Sequence, residues 1–246
     1  MAAATIEEIA KDAIAAINSE AGYLLAVKWA NSRYRQMVTR ARFRHLRETS
    51  TIDISAGGST WDCPTDLRWF GTIIYDSDGS TLTRIVQRVT LEELDDWYPT
   101  RPTLTGGPRV YAEKGLNAAA TAKQIEVYPT CPVVALATLD LVYWEEPAAL
   151  TITSSLPLGI DGHVIREGVF VDLIRWEAAK AARLGDIQQA QLWNERAQDQ
   201  ERRWEDAISE AIRADQGDAD DLMVLEQKMR AGNSQAVASS AKYPSR

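Results

Sequence analysis

Apolar residues recur at helical spacing towards both ends of this chain and at a spacing of two through its middle. Ile6, Ile9, Ala10, Ala13, Ile14 and Ile17 fall three or four apart, and Thr5 with Glu8 forms a capping box ahead of them, which predicts a helix over 5–18. A second helix is predicted over 20–47, where Tyr23, Val27, Ala30, Tyr34, Val38 and Ala41 make one stripe. From Thr49 the period becomes two. Segments 51–55 and 59–61 around Ala56-Gly57-Gly58 predict a hairpin, and 70–75 with 81–86 around Asp76-Ser77-Asp78-Gly79 predict another. Thr90 and Glu93 cap a short helix that Pro99 must end. Segments 109–113 and 123–128 read as paired strands. A longer strand over 133–145 puts Leu139, Leu141 and Tyr143 on its more apolar face.

Helical spacing returns over 164–184, with Gly185 placed as a C-cap and Asp186 ready to cap the next helix. That helix carries Ala190, Trp193, Ala197, Trp204, Ile208 and Ala211 on one stripe, and the short turn makes the two helices antiparallel neighbours. After Gly217, Asp218 opens a short segment with Leu222, Leu225 and Met229, and 231–246 has little to bury. The expected fold is α+β: a helical bundle built from N- and C-terminal helices with an inserted antiparallel β-rich region. Its parts are 1–48 (N-terminal helices), 49–150 (β-rich insertion), 151–216 (C-terminal helices) and 217–246, an extension flexible until docked.

Composition narrows the function more than the fold. The 246 residues are 45% hydrophobic and 25% charged, an ordinary globular balance, and no run of apolar residues is long enough to span a bilayer. The N-terminus carries glutamates rather than a basic region, unlike a secretory signal. The net charge of −8 disfavours DNA wrapping, which needs a positive surface. Charge is uneven: residues 1–50 hold eight Lys/Arg against five Asp/Glu, and residues 186–230 hold six against twelve. Opposite signs at opposite ends suit subunits that meet head to tail, and solvated helix faces account for them equally well.

Residues able to do chemistry are few. His45 and His163 have no nucleophile partner in a recognisable setting; packing suits the first, and local hydrogen bonding at a helix entrance the second. Cys63 and Cys131 lack metal-ligand or redox spacing and are expected to be inert thiols. Gly57-Gly58 and Gly106-Gly107 lack a phosphate-loop pattern. Adjacent carboxylates such as Glu92/Glu93 and Asp220/Asp221 cannot share a helix face. No catalytic residue, metal site or cofactor follows. What remains are contact residues. On an ideal helix Arg33, Arg40, Arg44 and Arg47 fall within about 60° and form a ridge about 20 Å long. Three readings of that ridge stay open: a solvated face, pairing with a neighbouring subunit, or contact with DNA. Trp193 and Trp204 share the stripe of an otherwise polar helix, a pattern common at subunit contacts.

Several stretches together resemble the head-to-tail adaptor (connector) proteins of tailed bacteriophages. They are Thr90-Leu91-Glu92-Glu93-Leu94, Gly107-Pro108-Arg109-Val110-Tyr111, Ile125-Glu126-Val127-Tyr128-Pro129-Thr130 and Leu156-Pro157. The helix with Ala178, Ala179, Ala181 and Ala182, followed by Leu184-Gly185-Asp186, completes them. The resemblance covers nearly the whole chain and is strongest over 90–184. It implies a structural virion protein without enzymatic activity, assembled in the host cytoplasm and located at the neck between head and tail. It further implies a homo-oligomeric ring, typically of twelve subunits, with portal and tail or nozzle proteins as partners. Genomic DNA would pass through its lumen without sequence-specific binding, and no membrane is involved. The C-terminal segment would reach onto the portal, with Leu222, Leu225 and Met229 as docking candidates. Two other readings remain open: a different neck or tail-completion protein, and a DNA-binding protein that uses the arginine-rich helix.

Overall fold

A computed structural model describes residues 4–77, 83–99, 104–157 and 159–239, with side chains as far as Asp215. The chain divides into two compact units: Met1–His45 with Ala148–Arg246, and Leu46–Pro147.

The first unit is helical. Helix α1 (Ile6–Ile17) starts where Thr5 accepts from the Glu8 amide and Glu8 reaches back to the Thr5 amide, and it ends at Asn18 in the left-handed region. Ile6, Ile9, Ala10 and Ala13 are its buried face. Helix α2 (Tyr23–Val38) buries Ala26, Val27, Ala30, Tyr34, Met37 and Val38. It stops about nine residues short of the expected end at 47, and the reason is Phe43. Continued as a helix, Phe43 would lie about 180° from Tyr34, nine residues earlier. Phe43 is nonetheless fully buried, so the chain turns at Thr39 to bring it in and enters a 3-10 turn at Arg44–Leu46.

Helix α4 (Gly162–Arg183) is capped by Asp161, which accepts from the His163 amide, and it packs against α1, α2 and α5. Gly185 adopts a positive φ of 82° after the last turn, and Asp186 accepts from the Gln189 amide to start α5. Helix α5 runs from Ile187 to Ser239 without the interruption expected at Gly217. Ala190, Ala197, Trp204 and Ile208 are its buried stripe.

Among the described residues, the second unit holds seven strands: β1 (Arg47–Asp53), β2 (Gly58–Asp62), β3 (Leu67–Asp76), β4 (Thr83–Val89), β5 (Val110–Leu116), β6 (Lys123–Cys131) and β7 (Thr138–Glu145). Their order is β1-β7-β3-β4-β5-β6-β2. A short helix, α3 (Leu91–Trp97), follows β4 under the Thr90/Glu93 capping box. The hairpin of β3 with β4 and the pairing of β5 with β6 are as the alternation predicts. Ile73, Tyr75, Val86, Tyr111, Ile125, Val127, Leu139 and Leu141 are among the residues packed in its core.

Three further expectations need correction. The fold is α+β, but not a terminal helical bundle around an antiparallel insertion. The sheet is mixed, because β4 and β5 run parallel, and α3 lies within the strand region, so helices are not confined to the chain's ends. A parallel pair needs a crossover of a dozen residues or more, and the connection through α3 supplies it. Second, β1 and β2 do not form a hairpin. The glycine turn exists, with the Gly57 amide donating to Ile54, but β1 pairs with β7 over seven residues and β2 pairs with β6. Third, β7 starts at Thr138 rather than 133, because Ala137 donates back to the Val134 carbonyl and closes a turn.

Candidate docking surfaces

Arg33 and Trp204 meet inside the helical unit. The Arg33 side chain is 5% exposed and donates from Nε and Nη2 to the two carboxylate oxygens of Asp172, at 2.8 and 2.6 Å. Its guanidinium lies 4.2 Å from the centre of the Trp204 ring, and the Arg40 guanidinium lies 5.1 Å from that centre. Trp204 is 1% exposed. Planar guanidinium groups stack well on indole and hold carboxylates through two parallel bonds, which is what this cluster uses.

The expected arginine ridge is therefore not a ridge. Only Arg33 lies on α2; Arg40 follows its end, Arg44 is in the 3-10 turn and Arg47 opens β1 in the other unit. Arg40 makes a two-pronged pair with Glu205 and holds that carboxyl below the ordinary glutamate range. The Arg44 amide donates to Asp215 at 3.0 Å, and its Nε lies 3.5 Å from the same carboxylate. Three of the four arginines thus meet carboxylates of α4 and α5 in their own chain. Arg33 and Trp204, buried there, have no surface to offer a neighbouring subunit. Trp193 is half-buried under Arg196, 5.1 Å away, and Arg47 is exposed. Side chains of Leu222, Leu225 and Met229 lie outside the described residues, although their backbone belongs to α5.

The groups able to react are placed for packing. Cys63 and Cys131 are buried in the sheet core, where burial pushes their thiols up to about 12 and about 11. His45 is in the 3-10 turn rather than on α2, with Nε2 at 3.2 Å from the Tyr34 hydroxyl. His163 at the start of α4 contacts Arg166 at 3.0 Å and Glu167 at 3.5 Å. Among the described residues, no group of His, Cys, Asp or Glu could hold a metal ion, and no helix is long and apolar enough to cross a membrane.

Large apolar side chains do reach solvent in this protein. Val133 and Leu136 stand on the β6–β7 turn, Leu184 on the α4–α5 turn and Ile187 at the first position of α5. Sequence pattern alone missed all four. The first two sit in what reads as a strand, Leu184 closes the helix predicted over 164–184, and Ile187 precedes the stripe of the next helix.

The described residues thus place both thiols in the core, pair three of the four arginines within the chain and leave four large apolar side chains widely exposed. Residues 2–229 match the family model described as SU10 adaptor protein, and the chain belongs to that family. It is a phage head-to-tail adaptor, a structural component of the virion neck that interacts with other virion components such as portal and tail. No curated protein matches the chain.

Proposed function

We propose that copies of this chain assemble into a ring, of twelve subunits by resemblance to the phage adaptors, that joins the portal to the tail or nozzle proteins and leaves a channel for DNA. The observation that carries this reading is the family match itself, which extends to residue 229 and so includes the segment with Leu222, Leu225 and Met229. Those three recur at i, i+3 and i+7, which places them on one face of a helix. Helix α5 supports their use as a docking element. It has 53 residues, about 80 Å at the usual rise, whereas its hairpin partner α4 has 22, about 33 Å. The segment 216–239 continues the helix past Asp215, and an amphipathic helix seated in a groove is a common recognition mode.

Charge supports passage of DNA rather than capture. The net charge is −8, and Arg33, Arg40 and Arg44 already meet carboxylates of their own chain. A lumen of like charge repels the phosphate backbone, so DNA slides without sticking. The same internal pairs disfavour a DNA-binding protein built on an arginine helix. Of the nominated subunit contacts, Arg33 and Trp204 are buried, while Arg40, Arg44, Arg47 and Trp193 keep surface available.

Electron microscopy of the purified chain mixed with its portal tests the reading. An added ring of density against one end of the portal is expected. A mixture in which the chain stays monomeric and the portal is unchanged overturns it.

A further inference from the structure

Among the described residues, the four most exposed large apolar side chains fall in two places. Val133 (79% exposed) and Leu136 (74%) are on the β6–β7 turn, and Leu184 (77%) and Ile187 (68%) lie at the α4–α5 turn, Ile187 as the first residue of α5. One turn belongs to the sheet unit and the other to the helical unit.

The β6–β7 turn is pinned. Gly57, at a φ of +72°, lies so close that an added Cβ would be 3.1 Å from Val133 Cγ2, from the Val133 amide and from the Cys131 carbonyl. Ala137 donates to Val134 at 3.3 Å and accepts from Ile54 at 3.1 Å. Within this frame Leu136 has a φ of +66°, a left-handed conformation that crowds its Cβ against the carbonyl. The side chain so placed packs on nothing inside; it stands in solvent. A backbone outlier that is held in order to present an apolar side chain marks a contact surface. Residues 130–139 carry no charge, and the nearest ionised groups on the paired strands are carboxylates. Asp53 is opposite Thr138, and Asp140 follows one residue after Leu139.

The other turn has complementary features. Trp176, Ala179, Lys180, Arg183 and Leu184 line a groove of about 250 Å³. Lys180 pairs with Glu20, while Arg183 is exposed and makes no ion pair among the described residues. A rigid apolar knob flanked by carboxylates thus has, on the same chain, an apolar groove with a guanidinium on its rim.

We propose that Val133 and Leu136 of one copy seat in the Trp176–Leu184 groove of a second copy, with Asp53 facing Arg183. Knob and groove are different surfaces, so each copy contacts one neighbour through its knob and another through its groove. Such heterologous contacts close into a ring when the rotation permits. The proposal rests on the ring reading and names the contact that builds it. Pinning the turn before contact reduces the ordering cost of binding.

Disulfide trapping in assembled rings tests it. The double variant Leu136→Cys/Leu184→Cys, mixed with portal and mildly oxidised, should give a ladder of covalent multimers, and either single variant should give none. Cys63 and Cys131 are buried and will not compete. Rings that form without cross-links overturn the proposed contact and leave the ring reading standing. So does a dimer from Leu136→Cys alone, which would indicate knob-to-knob contact, and so does its cross-linking to a portal or tail component. A wild-type chain that never forms a ring removes the ring reading and this contact with it. As a second measurement, Leu136→Gly should leave the melting temperature of the isolated chain equal or raised, since glycine tolerates the left-handed backbone, and weaken ring assembly at least tenfold. A lowered melting temperature with unchanged assembly would assign Leu136 a purely internal role and overturn the proposal.

Discussion

Arg33 reaches across the helical unit from α2 to Asp172 on α4, and its stem and guanidinium lie against Trp204 of α5. Both partners of the ion pair are largely withdrawn from water, with side chains 5% and 17% exposed. Removing only the cation leaves a carboxylate in a poorly solvated place, which costs far more than the net value of the pair. Arg33→Ala is expected to destabilise the chain by about 3 kcal/mol, read as a lowered denaturant midpoint, and the double change Arg33→Met/Asp172→Leu should recover most of the loss. Arg33→Lys should recover little, because a single ammonium cannot replace the two-pronged fork. His45 gives a pH dependence. Burial lowers its pKa from the ordinary 6.5, with the Asp215 carboxylate acting weakly in the opposite direction; the Tyr34 hydroxyl and Phe43 ring complete its surroundings. The folded state therefore favours neutral imidazole, while the unfolded chain takes up a proton near pH 6.5. Its contribution is present above that pH and is lost as pH falls through the lower, folded value. Melting temperature should decline below about pH 6.5, and less steeply in His45→Asn.

Helix α4 passes closest to this cluster at Gly168. A Cβ there would lie 2.8 Å from Trp204 Nε1 and 2.9 Å from Arg33 Cδ. Alanine would favour the helix by about 1 kcal/mol over glycine, but overpacking a full core costs about 1–3 kcal/mol. Packing wins, because the indole is fixed and the arginine stem is held by its ion pair. Gly168→Ala should therefore lower the melting temperature by a few degrees, measurable by circular dichroism. Elements with local signals were legible in the sequence. The capping boxes at Thr5/Glu8 and Thr90/Glu93, and the Gly185-Asp186 turn, each involve residues three or four apart. What escaped depends on distant partners. Arg33, Arg40 and Arg44 find their carboxylates 139, 165 and 171 residues away, so a ridge drawn on one helix could not reveal them. Strand β1 likewise leaves its neighbour β2 for β7, because alternation specifies a strand but not the strand it joins. The end of α2 was hidden in the same way, since only the finished core shows that Phe43 must be buried.

At the scale of the whole molecule, the described side chains end at Asp215, and the docking element proposed above lies beyond it. The last buried residue of the described chain is Ile208, and the last described ion pair from outside α5 is that of Arg44 with Asp215. Helix α5 nevertheless continues through Ser239. A chain cut before Asp218 keeps the contacts of α1, α2 and α4 and the stripe Ala190, Ala197, Trp204 and Ile208, and it keeps the whole sheet unit. It loses Leu222, Leu225 and Met229. Deleting residues 218–246 should therefore change the melting temperature by no more than a degree or two, since no described core contact is removed, while abolishing co-sedimentation with the portal. Replacing Leu222, Leu225 and Met229 by serine in the full-length chain separates the apolar face from helix length. If that face carries docking, the triple variant should bind as poorly as the truncated chain. Undiminished binding by the truncated chain would place the portal contact elsewhere in the protein, and unfolding of the truncated chain would show that the segment belongs to the body.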